Sequence, residues 1–306
     1  MATPKILLYY GFADLSDPDA IRLWQHTLCD SLGLRGRIIV APTGINGTLG
    51  GDVRALKRYV KVTRQYPAFK GIDFKWSDGT ALPDGTTADF PRLVVRTRPE
   101  LVTFGAPDEV TVRDGAVVDG GTHLTPAELH ELVESKDVVF FDGRNRIESE
   151  VGRFKDAVRP PVDTTREFID LLDSGEYDHL KDRPVVTYCT GGIRCEILTP
   201  LMKQRGFTEV YQLDGGIATY GAEYGDDGLW EGSLYVFDGR ITTDFSDHAA
   251  IVGECDTCRT GTSAVVDCSD ADCTQQFVRC ESCAAADTIC ARPVQAVGPP
   301  HRPVGE

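Results

Sequence analysis

Long apolar runs are missing from this sequence of 306 residues. Nowhere do about eighteen apolar residues occur together, which is the length that a membrane-spanning helix needs. The first apolar run, Ile6 to Tyr10, is short and lacks the continuation of a cleavable signal segment. We therefore expect a cytoplasmic protein that has no contact with a membrane.

Positive charge is scarce as well, because 32 Lys and Arg face 47 Asp and Glu and give a formal net charge of −15. Such a total argues against a protein that coats nucleic acid. The shortage is uneven, however. Residues 1–123 hold 15 basic and 14 acidic side chains, so the remainder of the chain carries the whole deficit. A polyanion would have to approach the N-terminal third.

Signatures of several enzyme classes are absent too. The six histidines are scattered and form no His-Asp-Ser set, which disfavours a hydrolase triad. No pattern of two histidines and one carboxylate indicates a non-haem iron oxygenase. We expect no nucleotide cofactor, and no segment indicates an obligate protein partner.

What is present indicates an α/β protein of several domains. Residues 6–76 alternate as strand, helix, strand, strand, helix and strand, which is the split pattern of an α+β, ferredoxin-like domain. Asp17 and Asp52 stand where the caps of the two helices would be, and Gly33 is placed to end the first. An extended stretch, Arg92 to Val95 with a continuation to Phe104, has the composition of a connector. We place the first domain, residues 1–120, before a boundary near residue 120.

Residues 121–225 predict a second domain with a parallel sheet. Val138 to Asp142 and Val185 to Tyr188 are continuous apolar runs, as buried parallel strands are. Thr125 opens a helix with a capping-box pattern. Residues 226–292 form a cysteine-rich module, and residues 293–306, rich in proline and glycine, are expected to be disordered.

The second of these strands runs into a loop that precedes a helix: Cys189, Thr190, Gly191, Gly192, Ile193 and Arg194. Its glycines let successive backbone amides point inward, and the start of the helix adds its positive end. Such a nest stabilises an anion, so we predict that Cys189 is a reactive thiolate supported by the loop amides and by Arg194. The alternative is a glycine turn around an inert buried thiol. Cys195, the next residue, is either a resolving thiol or a packing residue.

Two charged residues, Asp142 and Arg144, end the neighbouring strand. In a parallel sheet they would reach the same edge as Cys189. They either support the loop, by pairing with each other or with Arg194, or form an ion pair that only fixes the fold.

Seven of the ten cysteines crowd into the last part of the chain: Cys255, Cys258, Cys268, Cys273, Cys280, Cys283 and Cys290. Paired thiolates two residues apart supply two corners of a tetrahedral metal site. Zinc in one or two sites is the favoured interpretation, and a second site would need a shared or non-cysteine ligand. The alternatives are a disulfide knot and an iron–sulfur cluster.

Basic residues share one face of the second predicted helix: Arg54, Lys57, Arg58, Lys61 and Arg64. Together with the arginines of the following extended segment, Arg92, Arg96 and Arg98, they would track the phosphates of a nucleic acid. A solvated face of an amphipathic helix is the alternative. Recognition of an unpaired base would also need an aromatic side chain near Cys189, for which Tyr188, Phe154 and Tyr220 are candidates.

The segment Tyr188 to Glu196 resembles the active loop of rhodanese sulfurtransferases and, in particular, the oxygen-dependent tRNA uridine hydroxylase family. The resemblance extends to residues 44–48, 142–145, 150–155 and 213–217, and so to nearly the whole chain. It implies an acylphosphatase-like domain, a rhodanese-like domain and Cys189 as the essential residue. It also implies hydroxylation of carbon 5 of the wobble uridine, in the tRNA anticodon loop, with molecular oxygen as co-substrate.

The residues alone favour a different chemistry. A thiolate in such a loop is suited to carry a persulfide, so sulfur transfer through Cys189 is the leading alternative to hydroxylation. A third interpretation is a non-catalytic adaptor whose loop senses redox state and whose zinc module binds a partner.

Overall fold

The computed structural model describes residues 3–82 and 87–290. The tail that we predict to be disordered, residues 293–306, lies outside the described residues. Three parts follow one another along the chain: an α+β part, a part built on a parallel sheet, and a cysteine-rich segment. Within the described ranges, no helix combines the length and the apolar composition needed to cross a bilayer.

The N-terminal part contains five strands and two helices: β1 (Pro4–Phe12), α1 (Pro18–Ser31), β2 (Arg35–Ala41), β3 (Gly44–Asp52), α2 (Val53–Thr63), β4 (Phe74–Asp78) and β5 (Leu93–Thr97). The sheet order is β4-β1-β3-β2-β5, in which the first four strands have the predicted ferredoxin-like arrangement. Residues 93–97 of the expected connector belong instead to the sheet, because β5 pairs in parallel with β2. A short apolar run flanked by arginines does not indicate this pairing, which joins distant parts of the chain.

Side-chain caps start both helices as predicted. Asp17 accepts a hydrogen bond from the Ala20 N–H at 2.9 Å, and Asp52 accepts one from the Arg54 N–H at 2.9 Å. Each bond satisfies an amide that the start of a helix leaves unpaired. Gly33 follows α1 with a φ of +65°, a conformation in which glycine has no side-chain penalty.

The two faces of the N-terminal sheet have different neighbours. Leu7 and Tyr9 of β1 are fully buried in the core that α1 and α2 cover, and we call this side the helix face. Alternate residues of a strand point to opposite sides. Leu8 and Tyr10 therefore lie on the other side, which we call the cleft face because it borders a cavity shared with the central part.

The central part follows two short strands, β6 (Val112–Arg113) and β7 (Ala116–Val117), and contains these elements: β8 (Thr122–Leu124), α3 (Pro126–Ser135), β9 (Val139–Asp142), α4 (Arg146–Val151), β10 (Gly152–Phe154), α5 (Glu167–Asp173), β11 (Pro184–Tyr188), α6 (Ile193–Gln204), β12 (Glu209–Leu213) and α7 (Gly216–Tyr224). Its sheet has the order β8-β12-β11-β9, and every pair is parallel, as the apolar runs predict. Thr125 and Glu128 form the predicted capping box at the start of α3. Since β11 ends directly before Cys189, the cysteine loop lies at the carboxyl edge of this sheet.

The C-terminal segment is built from short elements: β13 (Trp230–Gly232), β14 (Leu234–Tyr235), β15 (Thr242–Thr243), β16 (Val265–Asp267), β17 (Gln276–Val278) and α8 (Glu281–Ala286). β13 pairs with β10 and so ties the segment to the central part. The remaining strands form two-stranded antiparallel pairs, β14 with β15 and β16 with β17. Isolated pairs of this kind are marginally stable, so the segment needs additional cross-links.

Candidate active site and cysteine clusters

Cys189 is buried at the tip of β11, and its sulfur accepts a hydrogen bond from the Gly192 N–H at 3.1 Å. Gly192 has a φ of +102°, which allows the backbone to curl around the sulfur. Burial opposes ionisation of the Cys189 thiol. Hydrogen bonds from Cys195, the charge of Arg194 and backbone amides outweigh it, and the pKa falls to about 5. Cys189 therefore carries a thiolate at neutral pH.

Arg194 is held by a carboxylate that the sequence analysis missed. Its guanidinium makes two parallel bonds to Glu148, at 2.5 and 2.8 Å, and a third to the Thr190 hydroxyl at 3.2 Å. Glu148 is fully buried in α4. Its signal in the sequence is weak, because Asn145 and Glu148 have only the spacing of a helix cap, and the partner Arg194 is 46 residues further on.

Cys195 is fully buried in the first turn of α6. Burial and the neighbouring Cys189 thiolate raise the pKa of the Cys195 thiol. Cys195 therefore keeps its proton, and its thiol can donate a hydrogen bond to the sulfur of Cys189. The side chain is thus packed into the start of the helix, as one of the two predicted roles requires, and it also donates a hydrogen bond to Cys189. The role of a resolving thiol stays a prediction.

Asp142 and Arg144 pair with each other and not with Arg194. The Arg144 guanidinium donates to both carboxylate oxygens of Asp142, at 2.8 and 2.6 Å, and to the Gly152 carbonyl at 2.7 Å. Both side chains are almost completely buried. The pair thus links the end of β9 to β10. β9 is the neighbour of β11, the strand that leads into the cysteine loop.

A cavity of about 320 Å³ is lined by the cysteine loop and by the cleft face of the N-terminal sheet. The loop is packed against β1, because a side-chain carbon on Gly191 would come within 2.7 Å of Leu8. The cavity walls include Arg37, Asn46 and, from the C-terminal segment, Phe237. All three parts of the chain therefore contribute to the surroundings of Cys189.

The predicted stacking side chains cannot meet a substrate base. Tyr188, Phe154 and Tyr220 have no exposed surface and pack together in the core of the central part, so this prediction is wrong. Their apolar rings are buried by the same sheet and helices that position the loop. Two aromatic side chains border the cavity, Tyr10 of β1 and Phe237. Phe237 is 49% exposed, and sequence reasoning missed it because it lies 48 residues beyond Cys189 in an irregular segment.

The predicted basic residues fall on two sides of the N-terminal sheet. The five at α2 are all exposed, on a helix that covers the helix face, away from Cys189: Arg54, Lys57, Arg58 and Lys61 within the helix and Arg64 directly after it. Arg92 precedes β5 and Arg98 follows it. Arg96 pairs in register with Ile39, a residue of the cavity wall, and therefore lies on the cleft face.

The seven C-terminal cysteines divide into two groups. The first contains Cys255, Cys258, Cys280 and Cys283, and the second contains Cys268, Cys273 and Cys290. Within each group the sulfur atoms lie within 4.8 Å of one another. The Cys258 and Cys280 sulfurs are 3.7 Å apart, well beyond a disulfide bond of about 2.05 Å.

A strand-loop-helix that holds a cysteine thiolate at the carboxyl edge of a parallel sheet defines a rhodanese-like protein, here preceded by a ferredoxin-like domain. Family models agree with this description. They match the UPF0176 acylphosphatase like domain at residues 4–101, the rhodanese-like domain at residues 125–223 and the rhodanase C-terminal domain at residues 231–293.

Two curated relatives extend the match to nearly the whole chain. A tRNA uridine(34) hydroxylase of Pseudarthrobacter chlorophenolicus is 58% identical over 291 residues, which are 94% of this chain and 96% of that protein. A tRNA uridine(34) hydroxylase of Rhodococcus jostii is 63% identical over 265 residues, 86% of this chain and 91% of that protein. The chain belongs to the tRNA uridine(34) hydroxylase family.

Proposed function

We propose that this protein hydroxylates carbon 5 of uridine 34 in the anticodon loop of tRNA, with molecular oxygen as co-substrate and Cys189 as the reacting residue. Family membership supports the reaction and its substrate. The observation that carries the proposal is the Cys189 thiolate at the base of a cavity. A cytoplasmic location accords with a tRNA substrate.

The loop supplies what a nucleophilic thiolate needs. In our proposal the loop amides and Arg194 stabilise the negative charge of Cys189, and Cys195 donates a hydrogen bond to the same sulfur. Glu148 keeps the guanidinium of Arg194 in place. Asp142 and Arg144 support the loop indirectly by fixing the end of the adjacent strand.

The chemistry follows from the electronic structure of uracil. Addition of the Cys189 sulfur to carbon 6 breaks the ring's carbon–carbon double bond and shifts its electron pair to carbon 5. Carbon 5 then bonds to one atom of O₂, while the other atom leaves as water with two electrons from a cellular reductant and two protons. Loss of the carbon 5 proton and of the Cys189 thiolate restores the double bond.

We also propose that the four-cysteine group holds a structural zinc ion. A tetrahedral zinc ion with zinc–sulfur bonds of about 2.3 Å places its sulfurs about 3.8 Å apart, close to the 3.7 Å between Cys258 and Cys280. Cys273 and Cys290 of the second group are similarly spaced, at 3.6 Å. That group offers three thiolates, so a second zinc ion would need one further ligand.

Nucleoside mass spectrometry of total tRNA tests the function. A bacterial strain that lacks 5-hydroxyuridine is given either the intact gene or its Cys189→Ser variant. We expect hydroxyuridine only with the intact gene. Its absence from both strains, with both proteins present at equal levels, would overturn the proposal, and a positive thiosulfate-to-cyanide assay would then favour sulfur transfer.

A further inference from the structure

The cavity above Cys189 differs in charge from two other cavities of the described chain. No Asp or Glu lines it, although the whole chain has a formal net charge of −15. A second cavity, on the other side of Tyr10, is lined by Asp73, Glu196 and Asp214. A third, beside the C-terminal segment, has Glu150, Glu254 and Asp256 in its wall together with Arg153, Arg159 and Arg259. Of these three, the cavity above Cys189 is the one without a carboxylate in its wall to repel the phosphate of an anionic ligand.

Arg37 gives this cavity a positive charge that no carboxylate of a described residue pairs with. The other cation of its wall, Arg194, is neutralised by Glu148. Arg37 is exposed on β2, and among the residues that the structure describes it has no ion pair or side-chain hydrogen bond. An exposed guanidinium with five free donors is suited to bind a phosphate group.

Phe237 adds an aromatic surface to the same cavity. Its ring is 49% exposed and lies over the Arg194 guanidinium at 5.5 Å. An exposed phenyl ring is unfavourable in water but provides a platform on which a nucleobase stacks, whatever the base.

Asn46 lies on β3, between the strands that carry Tyr10 and Arg37. It borders the cavity, and no side-chain hydrogen bond joins its amide to any other described residue. The amide can donate to a carbonyl oxygen and accept from an N–H, the two kinds of group on the edge of a uracil ring.

We propose that this cavity is the subsite for one unpaired nucleotide of the RNA substrate, in which Phe237 stacks on the base, Asn46 binds its edge and Arg37 binds its phosphate. The volume of about 320 Å³ is at the lower end of the range for small-molecule sites, as expected for a single nucleotide. Sequence-specific RNA recognition commonly uses such splayed-out bases. The inference rests on the proposed function and names the residues that bind its substrate.

Fluorescence anisotropy with the full-length protein and an anticodon stem-loop RNA tests this subsite. We expect Phe237→Ala to weaken binding about tenfold and Phe237→Tyr to restore it. On an RNA that lacks the base at the wobble position, Phe237→Ala and Asn46→Ala should bind as the unchanged protein does. Arg37→Ala should weaken binding to both RNAs and reduce the salt dependence by about one phosphate contact.

Arg183→Ala is the matched control, because Arg183 directly precedes β11 and so lies at the edge of the central sheet opposite to Cys189, with its side chain 41% exposed. We expect it to bind RNA with unchanged affinity. Unchanged binding by Arg37→Ala and Phe237→Ala, or loss of binding in Arg183→Ala alone, would overturn the subsite and place the RNA elsewhere on the protein. Failure of the proposed function is detected separately, since the unchanged protein would then form no hydroxyuridine in cells.

Discussion

The chain gathers cysteine sulfur in two places whose surroundings differ. At the central loop, one buried sulfur faces backbone amides, a neighbouring thiol and the guanidinium of Arg194. In the C-terminal segment, sulfurs face mainly other sulfurs, 3.6 to 3.7 Å apart. The first arrangement stabilises one thiolate and leaves it free to react. In the second, several thiolates would repel one another, and the zinc ion that we propose would offset this repulsion. Under this proposal the same residue type serves chemistry in one place and folding in the other.

Removing a sulfur from the four-cysteine group should have the largest effect. Structural zinc contributes about 10–16 kcal/mol in small zinc-binding peptides, and the core beside this group is one small cluster around Val265 and Val278. We expect Cys283→Ser to lose the metal of that site and to make the C-terminal segment sensitive to trypsin. Metal analysis after desalting measures the loss, and Cys189→Ser is the control with full metal content. A Cys283→Ser protein that keeps its full metal content would contradict the structural role given to the four-cysteine group.

Removing the charge that holds the loop arginine should have the next largest effect. Glu148→Gln leaves Arg194 buried without a counter-charge, which typically lowers the free energy of unfolding by about 3–5 kcal/mol. Urea denaturation measures this change. Glu209→Gln is the control, because it removes the charge from an exposed pair with Lys136 but keeps an oxygen that accepts from the Tyr211 hydroxyl, so the midpoint should stay nearly unchanged. Equal midpoints for the two variants would contradict the role given to Glu148.

The smallest effect is expected from removing one hydrogen bond, the one that Cys195 donates to the Cys189 sulfur. The thiolate of Cys189 should be present above a pKa of about 5, so its alkylation rate should rise as the pH increases through that value and then level off. Cys195→Ala removes a donor to the sulfur and should move the midpoint to higher pH. The measurement is the pH profile of iodoacetamide labelling at Cys189, followed by mass spectrometry. The same midpoint in both proteins would show that Cys195 does not stabilise the thiolate.

The elements that depend on neighbouring residues could be predicted from the sequence. Asp17 and Asp52 cap helices that begin within three residues of them. The reactive loop belongs to the same category, because one strand, two glycines and one helix start are continuous in the chain and create the nest around Cys189.

The features that could not be predicted depend on contacts between residues that lie far apart in the sequence. Glu148 reaches Arg194 over 46 residues, and β5 completes a sheet that begins near residue 4. Aromatic residues close to Cys189 in sequence, such as Tyr188, are buried because they belong to the strand that carries the loop. Phe237 lines the cavity although it belongs to another part of the chain. Proximity to Cys189 in the sequence is therefore a poor guide to which aromatic rings line the cavity.

The most direct test of the central claim is mass spectrometry of wobble nucleosides from cells grown under heavy-isotope O₂. Cells that express the intact protein should contain 5-hydroxyuridine with the heavy oxygen atom on carbon 5, and cells that express Cys189→Ser should contain none. Unlabelled hydroxyuridine, or labelled hydroxyuridine formed by the Cys189→Ser protein, would contradict oxygen-dependent hydroxylation through this cysteine.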